Sequence, residues 1–373
     1  MLSFWEKNSF LDYQYVIIGG GILGLSAACT IKEKTPDASV LVLERGIFPA
    51  GASTKNAGFA CFGSLSEIIS DFGRIGTDET VSLVEKRWKG INILRRRLGD
   101  EKIGLLNYGG YELVDESRTG NLLKIEFVND KLKDIFGTEV YKLKNEKIKE
   151  FGFNDSKIKA LVYSEFESQI DTGMMMNSLT DYAVSKGIRI LTGCNAERIS
   201  EKENHVRVIA NDSLSGEKIF FSAKKLYVCS NAFTKKILPE INVKPGRGQV
   251  LITKPVKDLK FKGVFHYEEG YYYFRNFGER IILGGGRNHF LKEEESTEFV
   301  KNDKIITDLN EKLQNIIIPG IKYEVDYTWT GIMAFTENKL PLTENISDRI
   351  TCIISCNGMG IALSSYIAES LLK

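Results

Sequence analysis

Glycines at a fixed spacing near the N-terminus are the first residues in this sequence with an evident chemical use. Gly19, Gly21 and Gly24 fit the pattern G-x-G-x-x-G, and Ile22 and Leu23 lie between the last two. Glycines allow a tight turn and a close approach to phosphates, and the amides at a helix start carry partial positive charge. The pattern therefore predicts a dinucleotide pyrophosphate site, without distinguishing FAD from NAD.

The residues around these glycines predict the elements that such a site needs. An apolar run at 15–18 is typical of a buried strand, and a helix is predicted from residue 22 to about residue 34. A second apolar run, 40–43, ends at Glu44. In this β-α-β unit an acid at the end of the second strand is placed to accept hydrogen bonds from an adenosine ribose.

A second small-residue segment, G-A-S-T-K-N-A-G at 51–58, follows the acidic residue where a simple NAD-binding domain does not place its next helix. With this segment the sequence resembles the D-amino-acid oxidase and glycine oxidase (DAO) family of FAD-dependent oxidoreductases. The resemblance implies non-covalently bound FAD. It further implies contacts to the pyrophosphate from Ser53 and Thr54, and contacts near the isoalloxazine from Asn56, Ala57 and Gly58.

The resemblance extends over essentially the whole chain. The segment T-G-C-N-A-E-R-I at 192–199 is similar to the family's adenine-recognising segment, W-T-G-I-M-A at 329–334 to its return to the FAD domain, and N-G-M-G-I at 357–361 to its C-terminal glycine turn. The usual G-H start of that turn is replaced here by Cys356 and Asn357. The resemblance implies further cofactor contacts from Arg45, Ala196, Gly331, Gly358, Met359, Gly360 and Ile361. A helix starting at about Gly360 directs free amides at the flavin edge where negative charge develops.

The reaction implied by the resemblance is oxidation of a small amine or amino acid by hydride transfer to flavin N5. The flavin is the electron sink, so no catalytic residue of the protein is strictly required. The candidate pocket residues are Tyr273, Arg275, Lys55 and Met333. Amino-acid oxidases of this group usually place a carboxylate-binding Arg at the position of Met333, which cannot bind a carboxylate.

A replacement cation is expected elsewhere in the sequence. Arg275 shares one face of a period-2 strand with Tyr273, and Arg247 and Arg287 are further candidates. The residues His266 and His289 are interpreted as ordinary strand-end residues.

Two other functions remain open for the same fold. One is a flavin-dependent 2-hydroxy-acid dehydrogenase, and the other is an oxidase that modifies tRNA uridine side chains. Fifty basic against 49 acidic residues give a net charge of +1, which argues against nucleic acid as a partner. The electron acceptor is either O2 or a carrier, and the stereochemistry of the substrate stays open.

The composition, 43% hydrophobic with seven prolines, is that of a globular protein. The N-terminus lacks the pattern of a signal peptide, and no apolar run reaches the ~20 residues of a membrane span. We therefore expect a cytoplasmic protein without stable membrane insertion. Six cysteines without a C-x-x-C pair, and three histidines, predict free thiols and no metal site.

The order of predicted elements indicates an α/β fold. It comprises an FAD-binding Rossmann-like domain, with a parallel sheet and helices, and a substrate domain with a mixed or antiparallel sheet. The expected limits are 1–62, 150–232 and 326–373 for the FAD-binding domain, and 63–149 and 233–325 for the substrate domain.

Overall fold

The computed structural model describes residues 1–212, 215–354 and 357–371 of the chain. Its α-helices are α1 (Phe4–Ser9), α2 (Ile22–Lys34), α3 (Leu65–Ile75), α4 (Thr77–Leu98), α5 (Ile125–Phe136), α6 (Glu146–Phe151), α7 (Thr172–Ser185), α8 (Asp303–Lys312) and α9 (Gly360–Ser370). The strands in the first half of the chain are β1 (Asp12–Ile18), β2 (Val40–Leu43), β3 (Phe59–Ala60), β4 (Gly110–Asp115), β5 (Lys142–Leu143), β6 (Ile158–Ser164), β7 (Ser168–Gln169) and β8 (Arg189–Leu191). Those in the second half are β9 (Ala196–Glu201), β10 (Val206–Asn211), β11 (Lys218–Val228), β12 (Lys244–Thr253), β13 (Val264–Tyr267), β14 (Tyr272–Phe277), β15 (Arg280–Gly285), β16 (Val325–Phe335), β17 (Leu342–Asn345) and β18 (Ile350–Ile354).

The first sheet has a parallel centre in the order β18-β11-β1-β2-β8. An antiparallel edge strand, β17, lies beside β18, and the antiparallel pair β9–β10 extends from the first half of β11. Parallel neighbours need a crossover connection, which α2 supplies between β1 and β2. The strands β1 and β2 are apolar throughout their buried parts because both faces of the sheet contact other elements.

The second sheet has the order β16-β12-β15-β14-β13-β4-β6-β5. Its neighbouring strands are antiparallel except for β13 and β4. Aromatic side chains fill the space between this sheet and α8, and the rings of Phe265 and Phe274 stack with centroids 4.7 Å apart. The chain thus combines a parallel sheet with a mixed one, which confirms the predicted fold class.

Several predicted elements occur where the sequence placed them, with differences at their ends. The bounds of β2 and the start of α9 agree with the prediction. The first strand begins at Asp12 rather than at residue 15, because Asp12 and Tyr13 pair in register with β11. Helix α7 begins at Thr172, since Asp171 caps it by accepting a hydrogen bond from the Met174 amide at 2.9 Å.

Three elements, two strands and one helix, lie elsewhere than the expected domain limits suggest. The strands β6 and β16 lie in the second sheet, although 150–232 and 326–373 were assigned to the FAD-binding domain. Helix α4 packs against α9, and its Arg97 pairs with Glu33 of α2, although 63–149 was assigned to the substrate domain. An apolar run does not reveal which sheet its strand joins, so these limits could not be read from the pattern.

Candidate active site

A cavity of about 650 Å³ lies between the carboxyl ends of the central first-sheet strands and the second sheet. Its size falls within the usual range of ligand-binding pockets. Most of the predicted cofactor residues line it, namely Gly19, Gly21, Ile22, Leu23, Glu44, Arg45, Ser53, Asn56, Ala57, Ala196, Gly331, Gly358, Met359, Gly360 and Ile361. The fold therefore brings together, at one cavity, segments from both ends of the sequence.

Three predicted cofactor residues do not line this cavity. A Cβ on Gly24 would overlap the carbonyl oxygen of Gly19, so this glycine permits close packing of helix on strand. The Thr54 hydroxyl donates to the Pro49 carbonyl at 2.6 Å, and its contact to the pyrophosphate stays a prediction. The Gly58 amide donates to Asn56 Oδ1 at 2.9 Å, so Gly58 shapes its loop.

The start of α2 presents hydrogen-bond donors to the cavity. The N-cap residue Gly21 has no side chain to accept from this helix start, but Ser53 Oγ accepts the Ile22 amide at 2.9 Å. The Glu44 carboxylate accepts the amides of Gly20 at 2.9 Å and Gly46 at 2.8 Å, one on each oxygen. Each oxygen keeps a lone pair for a ligand hydroxyl. These residues fit the ribose and pyrophosphate of a dinucleotide.

The start of α9 forms another wall of the cavity. Gly358 has φ +93°, a conformation that favours glycine, and Met359 provides no side-chain cap to the helix. Asn357 fixes this turn, because its Oδ1 accepts the Thr336 amide at 2.9 Å. The helix N-terminus thus directs partial positive charge at the cavity. Cys356, the other departure from the family's turn, lies outside the described residues.

Aromatic side chains shape the end of the cavity bordered by the second sheet. The edge of the Phe59 ring contacts Tyr273 and His266, with centroids 5.7 and 5.5 Å apart. Burial raises the pKa of Tyr273 to about 12, so its phenol is neutral near pH 7. Lys55 and Met333 also line the cavity, and the Lys55 Nζ lies 5.4 Å from the centroid of the Phe299 ring.

The three candidate arginines have different environments. Arg275 is only 3% exposed and donates to the carbonyl oxygens of Ala57, Ile170 and Asn276. It does not line the cavity, so its prediction as a pocket residue is wrong. The strand period predicts the face of the strand on which Arg275 lies. It does not predict that the guanidinium donates its hydrogen bonds to neighbouring backbone carbonyls.

Arg247 also lies outside the cavity, and its Nε and Nη2 atoms donate to the Glu294 carboxylate at 2.8 and 3.0 Å. Arg287 lines the cavity and stacks over the Phe335 ring at 4.1 Å. Burial lowers the pKa of Arg287. Within the described residues its guanidinium has no hydrogen bond or ion pair, so Arg287 is the candidate that can receive an anion.

Several charged or titratable residues that the sequence did not single out as site residues also line the cavity, among them Glu67, Arg87, His266 and Lys339. The Arg87 Nη1 lies 3.3 Å from Glu67 Oε1. The Nε2 of His266 lies 3.0 Å from Glu167 Oε2. Burial disfavours the charged imidazole, but the Glu167 carboxylate outweighs burial and raises the pKa of His266.

His266 is thus buried and paired with Glu167 at the cavity wall, and His289 is exposed. The interpretation of both as ordinary strand-end residues stays a prediction. An isolated histidine in a strand pattern gives no sign of the residue that faces it. Glu67 and Arg87 belong to the helices α3 and α4. The charged residues of these helices have the pattern of a solvent-exposed face, so no signal in the sequence identifies Glu67 and Arg87 as cavity residues.

Comparison with known proteins decides the family. The sequence profile of the DAO family, described as FAD dependent oxidoreductase, matches residues 14–372. The chain belongs to this family. No curated protein sequence matches this DAO-family chain at a significant level.

Solved structures with the same fold include several enzymes of amino-acid metabolism. L-proline dehydrogenase from P. horikoshii has a TM-score of 0.77 and 17% identity, covering 96% of this chain and 92% of that one. Glycine oxidase from Geobacillus kaustophilus has a TM-score of 0.75 and 18% identity, covering 97% and 94%. L-amino acid deaminase from Proteus vulgaris has a TM-score of 0.72 and 14% identity, covering 96% and 93%. At these identities the similarity shows that the DAO-family chain shares their fold.

The family's cofactor, FAD, fits the residues of this cavity. The glycine loop and α2 start suit the pyrophosphate, Glu44 suits the adenosine ribose, and the α9 start suits the polar edge of the flavin. Arg45 adds a positive charge on the nucleotide side, where it lies 3.5 Å over the Phe233 ring, and burial lowers its pKa. Within the described residues, no helix of this DAO-family chain combines the length and apolarity needed to cross a bilayer.

Proposed function

We propose that this chain oxidises a small amine or amino acid at its C–N bond, using FAD held without a covalent link. The observation that carries the proposal is the single cavity that joins the dinucleotide loop to the aromatic and charged wall of the second sheet. A cofactor along the first sheet leaves the space beside Phe59, Tyr273 and Arg287 for a small substrate. We further propose that the protein acts in the cytoplasm, without nucleic acid as a partner.

The chain's own residues position the substrate and stabilise charge. FAD, when bound, supplies an acceptor at flavin N5 for the hydride that leaves the carbon next to the substrate nitrogen. The unpaired amides at the start of α9 stabilise negative charge at the adjacent edge of the cavity. The rings of Phe59 and Tyr273 exclude water from the substrate space. The neutral phenol of Tyr273 can donate a hydrogen bond but does not act as a base near pH 7.

Arg287 is proposed to bind the carboxylate of an amino-acid substrate. Met333 occupies the position at which the family usually has its carboxylate-binding arginine, and a thioether forms no such ion pair. Arg287 lies on the same cavity wall and has no anionic partner within the described residues. Its stacking on Phe335 fixes the guanidinium plane, which favours two-pronged binding of a carboxylate.

The visible spectrum of the purified protein tests the cofactor part of the proposal. The protein is expected to retain a yellow flavin that denaturation in acid releases as free FAD. A flavin that stays with the denatured polypeptide would contradict non-covalent binding. A colourless protein that takes up no added FAD would contradict the whole proposal.

Anaerobic bleaching of the bound flavin tests the substrate class. A panel of D- and L-amino acids, N-methyl amines and 2-hydroxy acids is added in turn, and absorbance in the visible flavin band is followed. At least one amine or amino acid is expected to bleach the flavin. Bleaching by 2-hydroxy acids alone would overturn the C–N assignment. Readmitting air or adding a quinone afterwards distinguishes O2 from a carrier as electron acceptor.

A further inference from the structure

Three residues with metal-binding side chains converge on the wall of the cavity. Strands β3 and β7 pair with Ala60 opposite Ser168, which places Cys61 beside Glu167, and His266 comes from β13. One potential ligand atom from each of these three side chains lies within 4.8 Å of the others. Cys61 is 5% exposed, Glu167 2% and His266 5%. The expectation of no metal site considered spacing along the chain, which does not reveal this group.

The chemistry of the three side chains is that of a zinc site. Zinc takes cysteine sulfur, histidine nitrogen and carboxylate oxygen, and sites that bind small molecules keep a fourth position open. The His266 Nε2 and Glu167 Oε2 atoms are 3.0 Å apart. Two ligands about 2.1 Å from one tetrahedral zinc ion lie about 3.4 Å apart, so a small movement accommodates the ion.

The carboxylate of Glu167 provides an independent indication of a missing ligand. Its Oε1 atom is buried and has no hydrogen-bond partner within the described residues. An ionised carboxylate has only acceptor atoms, so a buried oxygen without a partner needs a donor or a cation. A metal ion held between Glu167 and Cys61 would supply that partner.

The charges around the group also favour a cation. Arg87 is the basic residue that acts on Cys61, but its Nη1 already donates to the Phe62 carbonyl at 2.8 Å and lies 3.3 Å from Glu67. Glu112, another buried carboxyl group near His266, accepts the Ser66 amide at 3.0 Å. The buried Glu167 carboxylate lies beside His266 with no basic residue bonded to it within the described residues, so it would attract a divalent cation.

We propose that Cys61, Glu167 and His266 bind a zinc ion in the wall of the cavity. Cys61 and His266 line the cavity, so the ion has a route of access and its fourth position faces the substrate space. Binding replaces three zinc-bound waters by sulfur, nitrogen and oxygen, and the Cys61 thiol proton leaves to solvent. The hydrogen bond between His266 Nε2 and Glu167 Oε2 breaks, and its proton moves to the other ring nitrogen or leaves to solvent, so that a nitrogen lone pair is free for zinc. No oxidation or reduction occurs in this step. The proposal does not depend on the identity of the substrate.

Zinc retention by the holoenzyme tests the site. The flavin-loaded protein is equilibrated with zinc sulfate and desalted, and zinc, flavin and protein are quantified by elemental analysis, absorbance and amino-acid analysis. One zinc per chain is expected. The variants Cys61→Ser and Glu167→Gln are each expected to weaken zinc binding at least about tenfold. Cys194→Ser, which removes a more exposed thiol that lines the cavity beside Glu44, is expected to retain the wild-type amount.

Cobalt substitution identifies the sulfur ligand. Adding Co²⁺ to the zinc-free holoenzyme is expected to give a thiolate-to-cobalt absorption band, seen in the difference spectrum against the cobalt-free holoenzyme. The band is expected in the Cys194→Ser variant and absent in Cys61→Ser. A flavin spectrum like that of the wild type shows that each variant is folded, and Glu167→Gln tests the site if Cys61→Ser does not fold.

The proposal is overturned if the wild-type protein retains no zinc, if Cys61→Ser and Glu167→Gln retain as much as the wild type, or if Cys194→Ser loses it. Because metal content is measured without turnover, these outcomes are separate from a failure of the flavin to be reduced by amines.

Discussion

At the scale of single residues, the substrate end of the cavity is distinguished by Arg287, an arginine without an acidic partner among the described residues. Its guanidinium contacts the Phe335 ring and has no acidic partner within the described residues, whereas Arg247 is fully engaged by Glu294. Burying the charge of a guanidinium without an anionic partner is unfavourable. An incoming carboxylate supplies that partner, so Arg287 is expected to bind it well. Arg287 thus becomes the residue that decides whether a substrate needs a carboxylate.

Replacement of Arg287 tests this role. Arg287→Leu is expected to raise the dissociation constant of a carboxylate-bearing substrate about 10- to 100-fold, because a hydrogen bond to a charged group contributes about 1.5–3 kcal/mol. The constant is measured by anaerobic titration of flavin bleaching. The corresponding amine without the carboxylate serves as the control and is expected to bind the variant and the wild type alike. Equal weakening for both compounds would contradict the role.

The sequence predicted the nucleotide side of the site better than the substrate side. The glycine loop and Glu44 are linked by one β-α-β unit, so their spacing determines their relative positions. Arg287, His266 and Glu167 come from separate segments of the chain. Their meeting depends on strand pairing over long sequence distances, for which a single sequence contains no signal.

At the scale of elements, the position of α9 depends on close packing against α4. A Cβ on Gly90 of α4 would overlap the carbonyl oxygen of Ala362 in α9. The absence of a side chain there lets the two backbones approach, and it sets how far the start of α9 projects toward the cavity. The packing of α4 against α9 therefore determines where the start of α9 lies at the polar edge of the proposed flavin site.

Two glycine substitutions with opposite expected signs test this packing. Gly90→Ala is expected to destabilise the protein by about 1–3 kcal/mol, because backbone atoms must shift to admit the methyl group. It is also expected to weaken FAD binding. Gly73→Ala in α3 meets no atom within 4 Å and is expected to stabilise by about 0.4–1 kcal/mol. Urea unfolding measures both, and destabilisation of similar size in the two variants would contradict the packing explanation.

The segment after β15 is held by a buried ion pair. Glu294 accepts from Arg247, from Gln249 at 3.1 Å and from Asn302 at 2.7 Å. Burial disfavours the charge of Glu294, but these hydrogen bonds outweigh burial and lower its pKa below the ordinary 4.5. A lowered pKa means that this carboxylate stabilises the fold above about pH 4.5 and loses that effect as the pH falls through its folded value.

The pH dependence of a Glu294→Gln variant tests this anchor. At pH 7 the variant is expected to be about 3 kcal/mol less stable than the wild type, because Arg247 loses its buried partner. The difference is expected to be constant between pH 7 and pH 5, and to shrink below pH 4.5 as the wild-type carboxyl group gains its proton. Unfolding by urea at a series of pH values measures it, and a difference that grows on acidification would refute the anchor.

The elements themselves were largely predictable, and their arrangement was not. The bounds of β2 and the start of α9 follow from an apolar run and a glycine turn. The placement of β6 and β16 in the second sheet depends on their partners β4 and β12. Short apolar runs look alike whichever sheet they join, so the sequence pattern does not assign these strands to a sheet.

At the scale of the whole molecule, the two sheets are joined through the loop at 51–58. Arg275 of β14 donates to the Ala57 carbonyl, and Trp329 Nε1 of β16 donates to the Lys55 carbonyl at 2.9 Å. On the other side, Ser53 contacts the start of α2, and Asn56 Oδ1 accepts the Thr172 hydroxyl at 2.9 Å. The loop is therefore fixed from both sheets at once.

Arg275 contributes to this connection and not to substrate binding. Arg275→Met keeps much of the side-chain length but leaves the carbonyls of Ala57 and Ile170 without their donor, so we expect a loss of about 3 kcal/mol in stability. The KM of the folded, flavin-loaded variant is expected to stay within about twofold of the wild type, because Arg275 does not line the cavity. Loss of a substrate contact worth about 1.4 kcal/mol would instead raise the KM about tenfold. Thermal unfolding and steady-state kinetics separate the two effects. A large rise in KM with unchanged stability would return Arg275 to the substrate site.

The tethered loop at 51–58 also has a meaning for protein engineering. Changes at Ser53, Lys55, Asn56 or Ala57, which line the cavity, would disturb nucleotide binding, the junction of the sheets or the substrate space, so the loop offers little freedom to a designer. The cavity walls on β14 and after β15, which carry Tyr273 and Arg287, take no part in the dinucleotide loop. Libraries restricted to those walls could therefore redirect substrate choice while leaving the cofactor in place.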